Sequence, residues 1–235
     1  ALVDAIQKDP QNIDLYKRLV RAFLEREDYA SAISWLDKAS LLPQADSDIA
    51  LKQTRSEVAI RATESELQKL RSDSSDNPKR AKQNAMRIQI LEREFDGLRL
   101  EESRKMVEQF PNDYGQRLNY GELLLNAGQV ESAIKQFQVS QRSTSLRQKS
   151  CVLLGRSFFQ KGLYDLALEQ FDKSIEGVLT MDDFKKDVLY ASAQCCEKLG
   201  QEKEAVRRYK SIYASDISFR DVAKKIDAYY SAGER

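Results

Sequence analysis

Three cysteines are the residues of this chain best suited to covalent or metal chemistry, and their spacing points away from both. Cys195 and Cys196 are adjacent, and Cys151 stands alone. Redox dithiols and zinc knuckles place two residues between their cysteines. Cys151 and Cys196 fall instead where a helical pattern asks for large core residues, which makes them buried small hydrophobes. The chain contains no histidine. Imidazole general bases, Ser-His-Asp and Cys-His nucleophiles and histidine-ligated metals are thereby excluded. The 37 Asp and Glu residues alternate with Lys and Arg along helix surfaces, which is i,i+4 support. Periodicity buries no pair of them together, and no glycine-rich phosphate loop is present. No catalytic residue, metal ligand or cofactor is expected, and the chain reads as non-enzymatic.

Charge and hydropathy narrow the partners. Lys and Arg number 38 against those 37 acids, a net charge of +1 over 235 residues. A dedicated binder of nucleic acid or anionic membrane carries a basic excess, so neither partner is expected. The basic cluster Lys79, Arg80 and Lys82 is offset by Glu92, Glu94 and the acids of 46–78, and reads as a solvated face. Mean hydropathy is -0.60 and no apolar run approaches the length of a membrane span. Unspaced thiols suit a reducing, cytoplasmic setting. Only 9 Gly and 4 Pro punctuate the chain, so helices must dominate.

Those helices repeat. Gly121, Gly128, Ala133 and Phe137 recur as Gly155, Gly162, Ala167 and Phe171, each at an offset of 34. The same frame returns as Ala193, Gly200, Ala205 and Tyr209, displaced by 38, the extra residues fitting a loop around Leu179 to Asp183. Leu19, Phe23, Ala32, Leu36 and Ala39 follow the same spacing near the start. Each unit holds two amphipathic helices. Small residues let their backbones approach, and large ones such as Leu124 with Phe137, or Phe158 with Phe171, fill the space around them. Gly128 and Gly162 stand where the first helix ends, in position for a left-handed cap. A unit of this size cannot bury its apolar face alone, so neighbours must stack.

The run Leu154-Gly155, Phe158, Gly162-Leu163-Tyr164, Ala167, Phe171 resembles the tetratricopeptide repeat (TPR) family. The resemblance is good over 114–147, 148–185 and 186–217, and fair over 13–45. Residues 1–12, with Ala5 and Pro10 five apart, resemble the tail of a preceding repeat, so the chain is expected to begin inside a longer array. The fold expected is an all-α, TPR-like helical-repeat solenoid. Residues 46–113 break the pattern. Ile60, Thr63, Leu67 and Leu70 step 3-4-3, as do Ile88, Leu91, Phe95 and Leu98, and Ser72 to Pro78 is a turn and helix-start signal. This reads as an irregular central hairpin of two long helices, the second continuing through Asp96-Gly97 to stop at Pro111; two degenerate repeats are the alternative. Residues 218–235, with Phe219, Val222, Ile226 and Tyr229, read as a C-terminal capping helix. Packing accounts for Trp35 and Tyr229, which leaves Tyr230 pointing elsewhere.

The resemblance also implies a site. In the family the first helix of each repeat lines a concave groove. Carried across, the groove positions are Leu118, Glu122 and Leu125, then Val152, Arg156 and Phe159, then Tyr190, Gln194 and Glu197. Apolar anchors with a few charges suit a peptide or protein partner; the alternative is an inner surface covered by solvent or by the chain's own termini. The Lys/Asn clamp with which some members grip acidic chaperone tails is not met, because Leu118, Glu122 and Leu153 occupy its places. The function expected is a non-catalytic protein-interaction scaffold. The alternative is a self-assembly module in which the central hairpin drives homodimerisation.

Overall fold

Four helix starts share one device, an aspartate whose carboxylate accepts a backbone N–H of the first turn. Asp28 accepts from Ser31, Asp48 from Leu51, Asp113 from Gln116 and Asp182 from Lys185, at 2.8–3.1 Å. The computed structural model describes residues 1–233, and every regular element among them is a helix. In order these are α1 (Leu2–Lys8), α2 (Ile13–Glu25), α3 (Tyr29–Ala39), α4 (Ile49–Asp76), α5 (Pro78–Gln109), α6 (Tyr114–Asn126), α7 (Val130–Ser140), α8 (Arg147–Gln160), α9 (Tyr164–Ile175), α10 (Asp183–Lys198), α11 (Glu202–Tyr213) and α12 (Val222–Gly233). None is long and apolar enough to cross a membrane. The chain divides into two units, Ala1–Glu102 and the residues from Ser103 onward. The final two residues of the capping segment expected over 218–235 lie outside the described residues.

In the first unit α1 packs on α2, α2 on α3, and α4 on both α2 and α3. Val20, Ala32, Leu36, Ala39 and Val58 are fully or almost fully buried between them. Asp48 also holds Lys17 at 2.8 Å, tying the start of α4 to α2. The long helices α4 and α5 run antiparallel: Glu66 meets Arg87 at 2.8 Å, Arg71 meets Glu92 at 2.7 Å and Asp73 meets Arg80 at 3.4 Å. Their seam is apolar, with Leu67 and Leu91 buried, and Thr63 returns its hydroxyl to the Ala59 carbonyl. Helix α5 passes Asp96-Gly97 without interruption, and a Cβ on Gly97 would meet nothing.

In the second unit each helix from α6 to α12 packs on the next in sequence, as helical repeats do. The close approach within each repeat is between a small residue and a ring. A Cβ built on Gly121 would lie 2.5 Å from Phe137 Cε1, and one on Gly155 would lie 2.6 Å from Phe171 Cε1. The side chain first met by Gly155 is thus Phe171, with Ala167 fully buried beside it. Arg208 staples three helices: its guanidinium grips both carboxylate oxygens of Asp172 (2.5 and 2.9 Å) on α9 and donates to Ser192 Oγ (3.0 Å) on α10.

The repeat turns share one backbone conformation but not one residue type. Gly128, Gly162 and Gly200 have φ of 74°, 75° and 70°, and the next residue's N–H returns to the carbonyl five residues back, as in a Schellman cap. The corresponding residue after α2 is Glu27, at φ 57°, with Asp28 N–H returning to the Phe23 carbonyl. A side chain in this left-handed region carries a steric penalty that glycine avoids. Glu27→Gly is therefore expected to stabilise the first unit by about 0.5–1 kcal/mol, part of the relief being offset by the freer unfolded chain. Thermal denaturation checks it, and a lowered midpoint would refute the strain.

Candidate functional site

Three first helices, α6, α8 and α10, lie side by side in the second unit and leave a depression of about 410 Å³ between them. Its wall is apolar where Val152, Leu153, Phe184, Val188 and Ala191 meet over Phe171. Its rim is charged, with Glu122, Lys149, Arg156 and Asp187. A second depression of about 310 Å³ adjoins it, lined by Phe159, Gln160, Gln194 and Arg220. Arg156, Phe171, Asp187 and Ala191 border both, so the two form one groove with Arg156 at the junction.

Most of the charge in this groove is already matched. Lys149 reaches Glu122 at 2.6 Å, and Arg220 reaches Asp187 at 2.6 Å. Arg156 is exposed and makes no ion pair or side-chain hydrogen bond with any described residue. Phe159 is half-buried, edge-on to Tyr164 with centroids 5.2 Å apart, and shares the cluster built on Val152, Ala167 and Phe171.

The nine positions carried over from the family frame separate into three groups. Glu122, Val152, Arg156, Phe159 and Gln194 line the groove. Leu118 is buried and Leu125 half-buried on α6, and neither borders these two depressions. Tyr190 and Glu197 are engaged by the chain's own C-terminal segment. The Tyr190 hydroxyl donates to Asp221 Oδ1 at 2.6 Å, its ring lies edge-on to Phe219, and it is only 8% exposed. Burial, then the Asp221 bond, pushes this phenol up to about 12. Glu197 receives Lys225 Nζ on both oxygens at 3.0 Å. The inner surface of the last repeat is thus covered by its own terminus at Tyr190 and Glu197.

What sequence reasoning missed lies one or two turns upstream. Asp187, Ala191 and Gln194 follow one another at i, i+4 and i+7, so the groove-facing stripe of α10 is rotated from the stripe 190, 194, 197 toward α8. The signal was the residue run itself: Phe184, Asp187, Val188 and Ala191 form a continuous helical face that begins before the repeat frame does. Lys149 likewise precedes Val152 by one turn.

The cysteines take no part in the groove. Cys151, Cys195 and Cys196 are buried and unpaired. Burial pushes all three thiols up, Cys195 to about 12, so none is poised as a thiolate nucleophile. Among the described residues no cluster of three or more potential metal ligands is found. The Lys79–Lys82 cluster at the start of α5 is solvated, with Arg80 facing Asp73.

No protein-family model matches the chain, and no curated protein matches it in sequence. Solved structures do match. The chain is similar to YrrB, described as a TPR protein with an unusual peptide-binding site, at 13% identity and a TM-score of 0.54 over 95% of this chain and 96% of that one. It is similar to MamA at 14% identity and a TM-score of 0.54 over 63% of this chain and 84% of that one. It is also similar to a chain in the complex of Naa15/Naa10 bound to HypK-THB, at 12% identity and a TM-score of 0.62, where it spans 97% of itself and 35% of that chain. The helical-repeat fold of this chain is that of the tetratricopeptide-repeat proteins.

Proposed function

We propose that this chain is a non-catalytic scaffold that holds a peptide or protein partner in the groove between α6, α8 and α10. The observation that carries the reading is the pairing of an apolar depression with an unmatched cation: the half-buried Phe184 and Ala191 and the buried Val152 and Val188 line it beside the exposed Arg156. An apolar wall with a few fixed polar groups is the general form of a peptide groove, and arginine is enriched among the residues that dominate binding energy. The peptide-binding site named for YrrB supports the reading by analogy of fold alone. The three unpaired, buried thiols suit a reducing compartment such as the cytoplasm.

Arg156→Ala tests it. The side chain is exposed, so the melting temperature is expected to hold. A partner captured by the wild-type chain is expected to bind about tenfold or more weakly, the loss of an interfacial arginine. Phe159→Ala is a poorer probe, because its ring packs on Tyr164 and its removal also lowers stability. Retention of every partner by Arg156→Ala and Gln194→Ala would end this reading.

A second reading, homodimerisation through the long hairpin, rests on Met86 and Ile90, one turn apart on α5 and 75% and 50% exposed. Leu91, by contrast, is 2% exposed and belongs to the seam within one chain. Light scattering of the wild type and of a Met86→Glu, Ile90→Glu pair decides it: a monomer at high concentration eliminates self-assembly.

A further inference from the structure

The groove carries information about its occupant beyond the class of peptide. We infer that it selects an extended segment bearing an internal Asp or Glu side chain, with a bulky aliphatic residue on one side of that acid. The inference rests on the groove being the binding site, as proposed above.

Charge complementarity argues for the acid. Around the smaller depression two arginines, Arg156 and Arg220, face one carboxylate, Asp187, and Asp187 is already held by Arg220 at 2.6 Å. Around the larger one Glu122 is held by Lys149 at 2.6 Å. The guanidinium of Arg156 is the charge left over, and a guanidinium presents a fork that matches a carboxylate. Lysine or arginine at this point of a ligand would meet that cation with no free carboxylate opposite.

The layout argues for an acid inside the segment rather than a terminal carboxylate. Arg156 stands where the two depressions join, with groove continuing on either side. A chain that ended there would leave one of them empty. The larger depression, floored by Val152, Val188 and Phe171, takes the aliphatic side chain. The smaller offers Phe159 and the amide of Gln194, which suit the ligand's backbone and a flat or polar side chain.

The test selects random dodecapeptides, displayed so that their C-termini are fused and not free, against the full chain and against Arg156→Glu. Wild type is expected to enrich peptides with Asp or Glu beside Leu, Ile or Met; Arg156→Glu is expected to lose that enrichment and gain Lys or Arg in its place. A synthetic copy of one selected peptide then closes a cycle by fluorescence polarisation. Its acid-to-amide change is expected to weaken binding to wild type about tenfold and to Arg156→Gln less than about twofold, the value of one charge-assisted pair. Melting curves confirm that both variants fold. Groove-competing peptides without an acid, or an acid-to-amide effect that persists in Arg156→Gln, would overturn this inference and leave the peptide groove standing. No enrichment at all by the wild-type chain would overturn both.

Discussion

Phe171→Ala is expected to destabilise the second unit by about 3–5 kcal/mol, and the same change should reverse the sign of a neighbouring mutation. Phe171 is 1% exposed and its ring lies on the backbone of Gly155, where an added Cβ would stand 2.6 Å from Cε1. In an open helix Gly→Ala gains about 1 kcal/mol of propensity. Here the added Cβ would come within 3.0 Å of three carbons of the buried ring, which must shift to admit it, and overpacking costs about 1–3 kcal/mol, so Gly155→Ala is expected to lower stability in the wild-type background. With Phe171 reduced to alanine the clash is gone, the methyl enters the space vacated, and Gly155→Ala is expected to stabilise. Denaturant unfolding of the four chains in the cycle reads the coupling directly. The two units need not unfold together, so the transition belonging to the second must be followed by its own probe. A stabilising Gly155→Ala in the wild-type background would refute the contact. Gly121 with Phe137 forms the same pair one repeat earlier, and a parallel result is expected there.

This contact explains which parts of the molecule were legible from the residues alone. Gly121, Gly155, Phe137 and Phe171 recur at a fixed offset because one geometric problem, a ring laid against a helix backbone, is solved twice with the same atoms. Turn glycines are legible for a related reason: left-handed backbone at Gly128, Gly162 and Gly200 excludes almost every other residue. Glu27 breaks that rule and carries the strain, so the first repeat is the fainter match. The long helices α4 and α5 show in the 3-4-3 stepping of Leu67, Leu91 and their neighbours, since a two-helix seam accepts only that period.

The groove was less legible, because solvent-facing positions obey no such constraint. The frame points to Arg156 and Val152, and both line the larger depression. On α10 the frame points to Tyr190, Gln194 and Glu197, whereas Asp187, Val188, Ala191 and Gln194 line the depressions, because a frame anchored on core residues Ala193 and Tyr209 carries nothing about what packs on the outer side of the last repeat. Asp187 and Ala191 face α8 because Phe219, Asp221 and Lys225 already occupy the other side of the helix. A single sequence supplies the period of a helix, but which arc of it faces a neighbour depends on residues thirty positions away.

That terminal segment makes the last prediction. Ending the chain at Ile217 removes Val222, which is fully buried against Leu189, Tyr190, Tyr209 and Ile212, together with Phe219 and Ile226, which are partly buried on the same cluster. The burial forfeited amounts to about 4–6 kcal/mol. The entropy of ordering the segment is recovered at the same time, so the net loss is smaller than this. Two observables follow. The melting point of the second unit is expected to fall, and binding of a hydrophobic dye to rise, as Tyr209 and Ile212 meet water. Asp216 remains in the shortened chain, so its 3.0 Å contact with Lys186 is kept and does not confuse the result. Tyr190 and Glu197 are released from Asp221 and Lys225, while Asp187 loses Arg220 and becomes free to pair with Arg156, the unmatched cation on the same rim. A peptide held through its acid is therefore expected to bind the shortened chain more weakly, although the apolar surface beside it has grown. Arg220→Ala, which frees Asp187 while leaving Val222 and Ile226 in place, is expected to reproduce the weaker binding without the dye response. Equal loss of binding and gain of dye in both variants would mean that the segment acts only as a cover; a split between them would assign the cover to Val222 and its neighbours and the charge of the groove to Arg220.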